Sequence, residues 1–153
     1  MLLGGCGGSS GDSGWSAAVP DGWKNATTRI NARSNTEFQA VYEGPKDGDV
    51  RASISVARVP AAAGDTLASI TDAGRANLEK AYGKAAAVTV PVDTHVAGAP
   101  AMRFDYEAEG GQVRQVGALH AGHFYLVSFT ASRSTWSRRL QALDGMLRSW
   151  RWQ

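Results

Sequence analysis

The chain has 153 residues, 43% of them apolar, and a net charge of +2 from 16 basic and 14 acidic side chains. That length is one ordinary domain, and it buries enough surface to fold without disulfides or a structural metal, as befits a chain with a single cysteine. The charges are spread along the chain without a basic run, which excludes a nucleic-acid arm and predicts no nucleic-acid partner.

The chain opens on Met1-Leu2-Leu3-Gly4-Gly5-Cys6. A leucine, two small residues and a cysteine resemble the lipobox at which bacterial lipoprotein signal peptides are cut. Small residues let the backbone lie extended in the peptidase, and the thiol accepts a diacylglycerol before cleavage. Cys6 is therefore the candidate lipidation site, and a membrane is the partner expected through it. Gly7 to Gly14 contains no hydrophobic residue and reads as a flexible spacer. Residues 1–14 are accordingly assigned to a lipobox-like start and Gly/Ser tether, and residues 15–153 to one domain. A signal peptide needs an apolar stretch of about 7 to 15 residues. Only five residues precede Cys6, so the start of the signal is expected to be missing. The expected location is the outer face of the bacterial cell membrane. If the short start is genuine, the alternative is a cytoplasmic protein-binding relative whose cysteine is incidental. No later stretch approaches the ~18 apolar residues of a membrane-spanning helix.

From Thr36 to Glu43, Phe38, Ala40 and Tyr42 alternate with Glu37, Gln39 and Glu43, the period of a half-buried strand. Gly44 to Asp49 is dense in turn formers, and Arg51 to Val59 alternates again, which predicts a hairpin. Asp65 or Thr66 offers an N-cap to a helix. Leu67, Ile70, Gly74, Leu78, Ala81 and Tyr82 form its apolar stripe, and Gly83 ends it. A β-rich segment at Ala87 to Val96, a turn at Gly98-Ala99-Pro100 and a strand from Ala101 to Ala108 follow. Glu109-Gly110-Gly111 turns the chain into a second hairpin, Gln112 to His120 and His123 to Ala131. Both side-chain parities of these strands carry apolar residues, as in a sheet covered on two sides. Ser134 is the expected cap of a last helix whose stripe is Trp136, Leu140, Leu143 and Leu147, opposite Arg138, Arg139 and Arg148. The fold class predicted is α+β, a three-layer α/β/α sandwich with a central antiparallel sheet.

Three stretches carry a family resemblance: Val19-Pro20-Asp21-Gly22-Trp23 at the domain entrance, Gly98-Ala99-Pro100-Ala101 before a strand, and the terminal Ser149-Trp150-Arg151-Trp152. In that order they resemble the PsbP-like superfamily, and among its members the small bacterial lipoproteins, including the LpqN-type lipoproteins of actinobacteria. The resemblance covers about residues 15 to 152. It implies an antiparallel sheet flanked by helices and a non-enzymatic binding or assembly role. It supplies no ligand and no catalytic motif.

Chemistry-bearing groups are sparse. If Ala121-Gly122 forms a tight turn, His120 and His123 become cross-strand neighbours close enough to share a metal, but zinc wants three or four ligands and only His95 remains. His120 and His123 are therefore weak metal candidates beside the plainer reading of a solvated hairpin end. There is no Gly-x-Ser-x-Gly, and no phosphate-cradling loop. Asp105 and Glu107 share a strand face and read as solvated. No catalytic residue and no cofactor is expected. Trp150, Trp152, Arg138 and Arg139 are the candidate partner-binding residues, because aromatic and arginine side chains concentrate at interaction hot spots. The function expected is that of a non-catalytic, lipid-anchored envelope protein. It binds another envelope protein or a small apolar ligand in the groove between the sheet and a helix. The competing expectation is a small envelope hydrolase or metal-binding protein that uses His120 and His123.

Overall fold

The computed structural model describes residues 13–108 and 110–153. Cys6 and most of the expected tether lie outside the described residues. In chain order the elements are strands β1 (Trp15–Ser16) and β2 (Lys24–Asn25), helix α1 (Thr27–Asn31), strands β3 (Ala40–Asp47) and β4 (Val50–Pro60) and helix α2 (Leu67–Tyr82). Then come strands β5 (Val92–Val96), β6 (Ala99–Ala108), β7 (Gly111–His120) and β8 (His123–Ser132), helix α3 (Trp136–Ser149) and strand β9 (Arg151–Trp152). Seven strands form one antiparallel sheet in the order β2-β3-β4-β8-β7-β6-β5, and β1 pairs with β9 in a separate ribbon. No helix among the described residues is long and apolar enough to cross a membrane.

The alternating stretches became strands where each could bury one parity. On one face Ile54, Val56, Val116, Val127 and Phe129 pack beneath Leu143 and Met146 of α3. On the other face Phe104, Tyr106 and Val113 meet Leu78 of α2 and Val88. The predicted α+β sandwich is the observed one, with α3 and α2 on opposite faces of the antiparallel sheet.

Where the local reading and the structure part, side chains account for the difference. The first strand starts at Ala40 rather than Thr36, because Asn31 takes the backbone of Phe38 for itself. Its Nδ2 donates to Phe38 O at 2.8 Å and its Oδ1 accepts from Phe38 N at 3.0 Å. The segment Gly44 to Asp49 is not all turn. The strand runs on to Asp47 with a register shift between Glu43 and Lys46, where Pro45 lacks the N–H a ladder needs. Gly44 is required there, since a Cβ would stand 2.5 Å from the Trp23 indole. The segment after α2 is a 3-10 turn at Gly83–Ala86, with β5 beginning only at Val92. The next turn is Ala97-Gly98, both at positive φ, and Ala99 and Pro100 already belong to β6.

Helix α2 is capped as predicted. Thr66 Oγ1 accepts from Ser69 N at 3.1 Å while Thr66 N donates to Ser69 Oγ at 3.0 Å, a reciprocal capping box, and Gly83 closes the helix. Helix α3 is not capped by Ser134, which sits in a 3-10 turn with its hydroxyl 3.0 Å from that of Ser132. The residue at the N-cap is Thr135, and it spends its hydroxyl on Asp47 Oδ2 at 3.0 Å instead.

Asp47 thereby ties α3 to the β3–β4 hairpin. Arg139 grips it with Nε at 2.8 Å from Oδ2 and Nη2 at 2.9 Å from Oδ1, and Arg138 stands 3.7 Å away. Hydrogen bonding from Arg139, then from Thr135, holds the Asp47 carboxyl down at about 2, against 3.8 in an unperturbed side chain. A carboxyl whose pKa is depressed on folding stabilises the native state above its unfolded pKa, and the contribution fades as pH falls through the folded value. Unfolding free energy is therefore expected to drop between pH about 4 and about 2, and Asp47→Asn is expected to flatten that part of the profile. Urea titrations of both proteins at stepped pH check it, and parallel profiles below pH about 4 would contradict the tie.

Candidate functional site

The predicted site residues fall into four places. Trp150 is a correction: it is 0% exposed, with its ring stacked on Trp15 at 4.2 Å and set edge-on to Trp152 at 5.4 Å, so it presents no surface to a partner. An indole is the side chain whose burial removes the most apolar area from water, and Trp15 of the β1–β9 ribbon lies directly on that of Trp150. Trp152 is half-buried, sandwiched against His120 at 4.3 Å and Tyr125 at 4.9 Å, and its Nε1 donates to Val96 O at 3.0 Å. Arg139 is committed to Asp47. Arg138 is exposed beside the same carboxylate.

The Ala121-Gly122 turn is tight, with φ of 47° and 74°, and His120 and His123 are cross-strand partners. Their rings are nevertheless engaged separately, His120 on Trp152 and His123 with Nδ1 3.0 Å from Ala121 O. No group of three or more metal-type side chains gathers among the described residues. Asp105 and Glu107 are both held by arginines. Arg114 donates to Asp105 through Nε and Nη2, each at 2.8 Å, and Arg133 pairs with Glu107. Carboxylates so neutralised are poorly placed for acid–base work at a sugar.

An apolar cleft lies elsewhere, between α2 and the sheet. The C-terminal half of α2 is seated, with Leu78 on the Phe104, Tyr106 and Val113 cluster and the Tyr82 ring 6.3 Å from that of Tyr106. The N-terminal half touches down at Thr71 but leaves a gap beside it. Of the sixteen residues of the helix only Thr71 is buried, and Ile70, Ala73 and Gly74 span a cleft of about 570 Å³ over Ala57, Val59, Phe124 and Leu126. Small residues at 73 and 74 leave the space unfilled, and a Cβ on Gly74 would meet no atom within 4 Å. Val59 remains 51% exposed as a result, an unusual state for a strand valine facing a helix.

Two of the polar residues around the cleft are turned to local duties. Asp65 Oδ2 accepts from Ala62 N at 2.7 Å, and Ser69 is spent in the capping box. The cleft therefore offers apolar contact and volume, with no charged side chain free to do chemistry beyond Asp65 at its edge. The size falls within the range of small-ligand pockets, about 300 to 1,000 Å³. Sequence reasoning placed a groove between sheet and helix but assigned none of these residues to it, reading Ile70 and Gly74 only as part of the helix's apolar stripe. The available signal was the pair Ala73-Gly74 on the apolar side of α2, where a packed helix would carry larger side chains.

No family model and no curated protein matches the chain. Solved structures do. The cyanobacterial PsbP protein CyanoP from Synechocystis sp. PCC 6803 superposes with a TM-score of 0.66 at 15% identity, covering 99% of this chain and 99% of that one. LpqN of Mycobacterium tuberculosis, described as involved in cell envelope biogenesis, gives 0.56 at 14% identity over 92% of this chain and 86% of its own. A Pseudomonas aeruginosa protein of unknown function, PA94, described as a putative regulator, gives 0.51 at 21% identity over 74% and 81%. At these identities the likeness concerns the fold. The antiparallel sheet with a helix on either face, which the order of three short motifs anticipated, is thus the PsbP-like fold, with LpqN among its structural relatives.

Proposed function

We propose that this is a non-catalytic envelope protein, anchored by a lipid on Cys6, that binds a small apolar ligand in the cleft between α2 and the sheet. The observation that carries the reading is the unfilled cleft between α2 and the sheet. A folded protein gains about 25 cal/mol for each Å² of apolar surface it removes from water, so an unfilled cleft lined by Val59, Ile70 and Leu126 is stability left unclaimed. A ligand with an apolar body recovers it. The envelope location rests on the lipobox-like start and on the fold shared with LpqN, a protein involved in cell envelope biogenesis.

Gly74→Leu separates ligand binding from folding. Leucine replaces the poorest helix former but proline, a gain of about 0.8 to 1 kcal/mol, and its side chain grows into open space. The variant is expected to melt about 2–4 °C higher than the native protein and to lose binding of the neutral fluorophore N-phenyl-1-naphthylamine, which the native protein takes up saturably. Fluorescence titration and thermal unfolding read the two effects. Equal uptake by both proteins, or none by the native one, would sink the apolar-ligand reading.

A further inference from the structure

A second cavity, of about 420 Å³, lies on the opposite face of the sheet, between α3 and the β5–β6 hairpin. Its apolar wall is Val116, Leu143 and Leu147, and three arginines line it, Arg103 on β6, Arg114 on β7 and Arg148 on α3. Register sets Arg103 opposite Val116, which is buried under α3, so Arg103 rises from the same face of the sheet.

The three arginines are not equivalent. Arg114 is fixed, clasped by Asp105 and lying 5.8 Å over the Trp136 ring. Asp144, the one carboxylate in the lining, favours the charged form of Arg114, after the larger effect of Asp105. Arg103 and Arg148 are exposed, and among the described residues neither guanidinium has an ion pair or a hydrogen bond. Two arginines without a charge partner among the described residues thus line one cavity from different elements, beside a third whose position is locked. Structural arginines on a wet helix face need not converge in this way. In its favour as a plain helix feature, Arg148 sits in the last turn of α3, where a cation complements the helix dipole. Arg103, on a strand, has no such duty.

We infer that this cavity binds a phosphate group, with Arg103 and Arg148 donating to its oxygens and the apolar remainder of the ligand resting on Leu143 and Leu147. A single planar carboxylate is satisfied by one guanidinium. A tetrahedral phosphate accepts from two forks approaching on different sides. The group belongs either to a soluble phosphorylated molecule or to a phospholipid headgroup, the same chemistry from two sources.

The test uses the full chain. Sodium phosphate is titrated while the arginine side-chain Nε–H resonances are followed. Vesicles of phosphatidylglycerol in phosphatidylcholine are then offered in a flotation assay. Saturable shifts confined to Arg103, Arg114 and Arg148 are expected, with about tenfold weaker binding in each of Arg103→Gln and Arg148→Gln, the size of one charge-assisted hydrogen bond. Arg33→Gln, an exposed arginine away from the cavity, should bind as the native protein does. Flotation that depends on Arg103 and Arg148 assigns a lipid headgroup, and phosphate binding without flotation assigns a soluble ligand. No saturable shift with either probe, or an equal loss in Arg33→Gln, overturns the inference. Gly74→Leu should leave phosphate binding intact, so this site and the α2 cleft stand or fall separately.

Discussion

Trp150→Ala is expected to lower the unfolding free energy by about 3–5 kcal/mol, the range for deleting a large aromatic side chain from a packed interior. Trp150 is wholly buried and belongs to the same cluster as Leu143, Met146, Val127 and Phe129, so the truncation opens a cavity that rigid sheet and helix backbones cannot close. Trp15, stacked on it at 4.2 Å, loses its partner, and with it the β1–β9 ribbon loses the contact that holds the two ends of the domain together. Domains of this size are stable by about 5–15 kcal/mol, so the variant should unfold at far lower urea concentration and sit near the threshold at physiological temperature. Trp150→Phe is the informative partner. The Nε1 of Trp150 is buried with no acceptor among the described residues, and phenylalanine removes that unsatisfied donor while keeping a ring in place. It should cost well under half of what alanine costs. Urea unfolding with a common m value measures both, and an alanine variant within about 0.5 kcal/mol of the native protein would show that the stack is not a keystone.

The second large effect is expected from the pair beneath α3. Arg114 and Asp105 are cross-strand partners on β7 and β6, with side chains 15% and 20% exposed. Removing one member of a buried ion pair costs about 3–5 kcal/mol, because the other charge is left without a partner. Partial solvent access lowers that here to about 2–3 kcal/mol for Arg114→Ala, including its lost contact with Trp136. Arg114→Ala/Asp105→Ala should then be less destabilised than the sum of its singles, since no orphaned charge remains. A double-mutant cycle in urea tests this. A coupling below about 0.5 kcal/mol would mean that the two side chains merely lie side by side in solvent.

The parts of this molecule that could be read from the chain are those decided within a few residues. Thr66, Ser69 and Gly83 delimit α2 because caps are local hydrogen bonds, and α2 begins and ends where they put it. The strands Arg51 to Val59, Gln112 to His120 and His123 to Ala131 came out with boundaries within a residue or two, because alternation in the first, and apolar runs bounded by turn residues in the other two, are legible without knowing the neighbours. Ser134 failed as a cap for the opposite reason. Its neighbour Thr135 takes the N-cap position, and the hydroxyl there is claimed by Asp47, 88 residues away in sequence. The first strand was misjudged through a similar side-chain claim, by Asn31 on Phe38.

The two candidate sites divide along the same line. The sequence by itself pointed to an antiparallel sheet with a helix for each face, and to the stripe of α3 that packs on it, whereas in α2 the buried residue is Thr71, outside the predicted stripe. It could not say which tryptophan would win the interior. Trp150 and Trp152 are two residues apart, and only the pairing of β9 with β1 puts one under the ribbon and leaves the other at its edge. Nor could it say that α2 stands over an unfilled cleft beside Ile70 and Gly74, or that Arg103 and Arg148 line one cavity. Periodicity specifies which face of an element is apolar. How far that element stands from the sheet, and which distant side chains meet across the gap, is settled by the sum of contacts over the whole chain, which no local pattern contains.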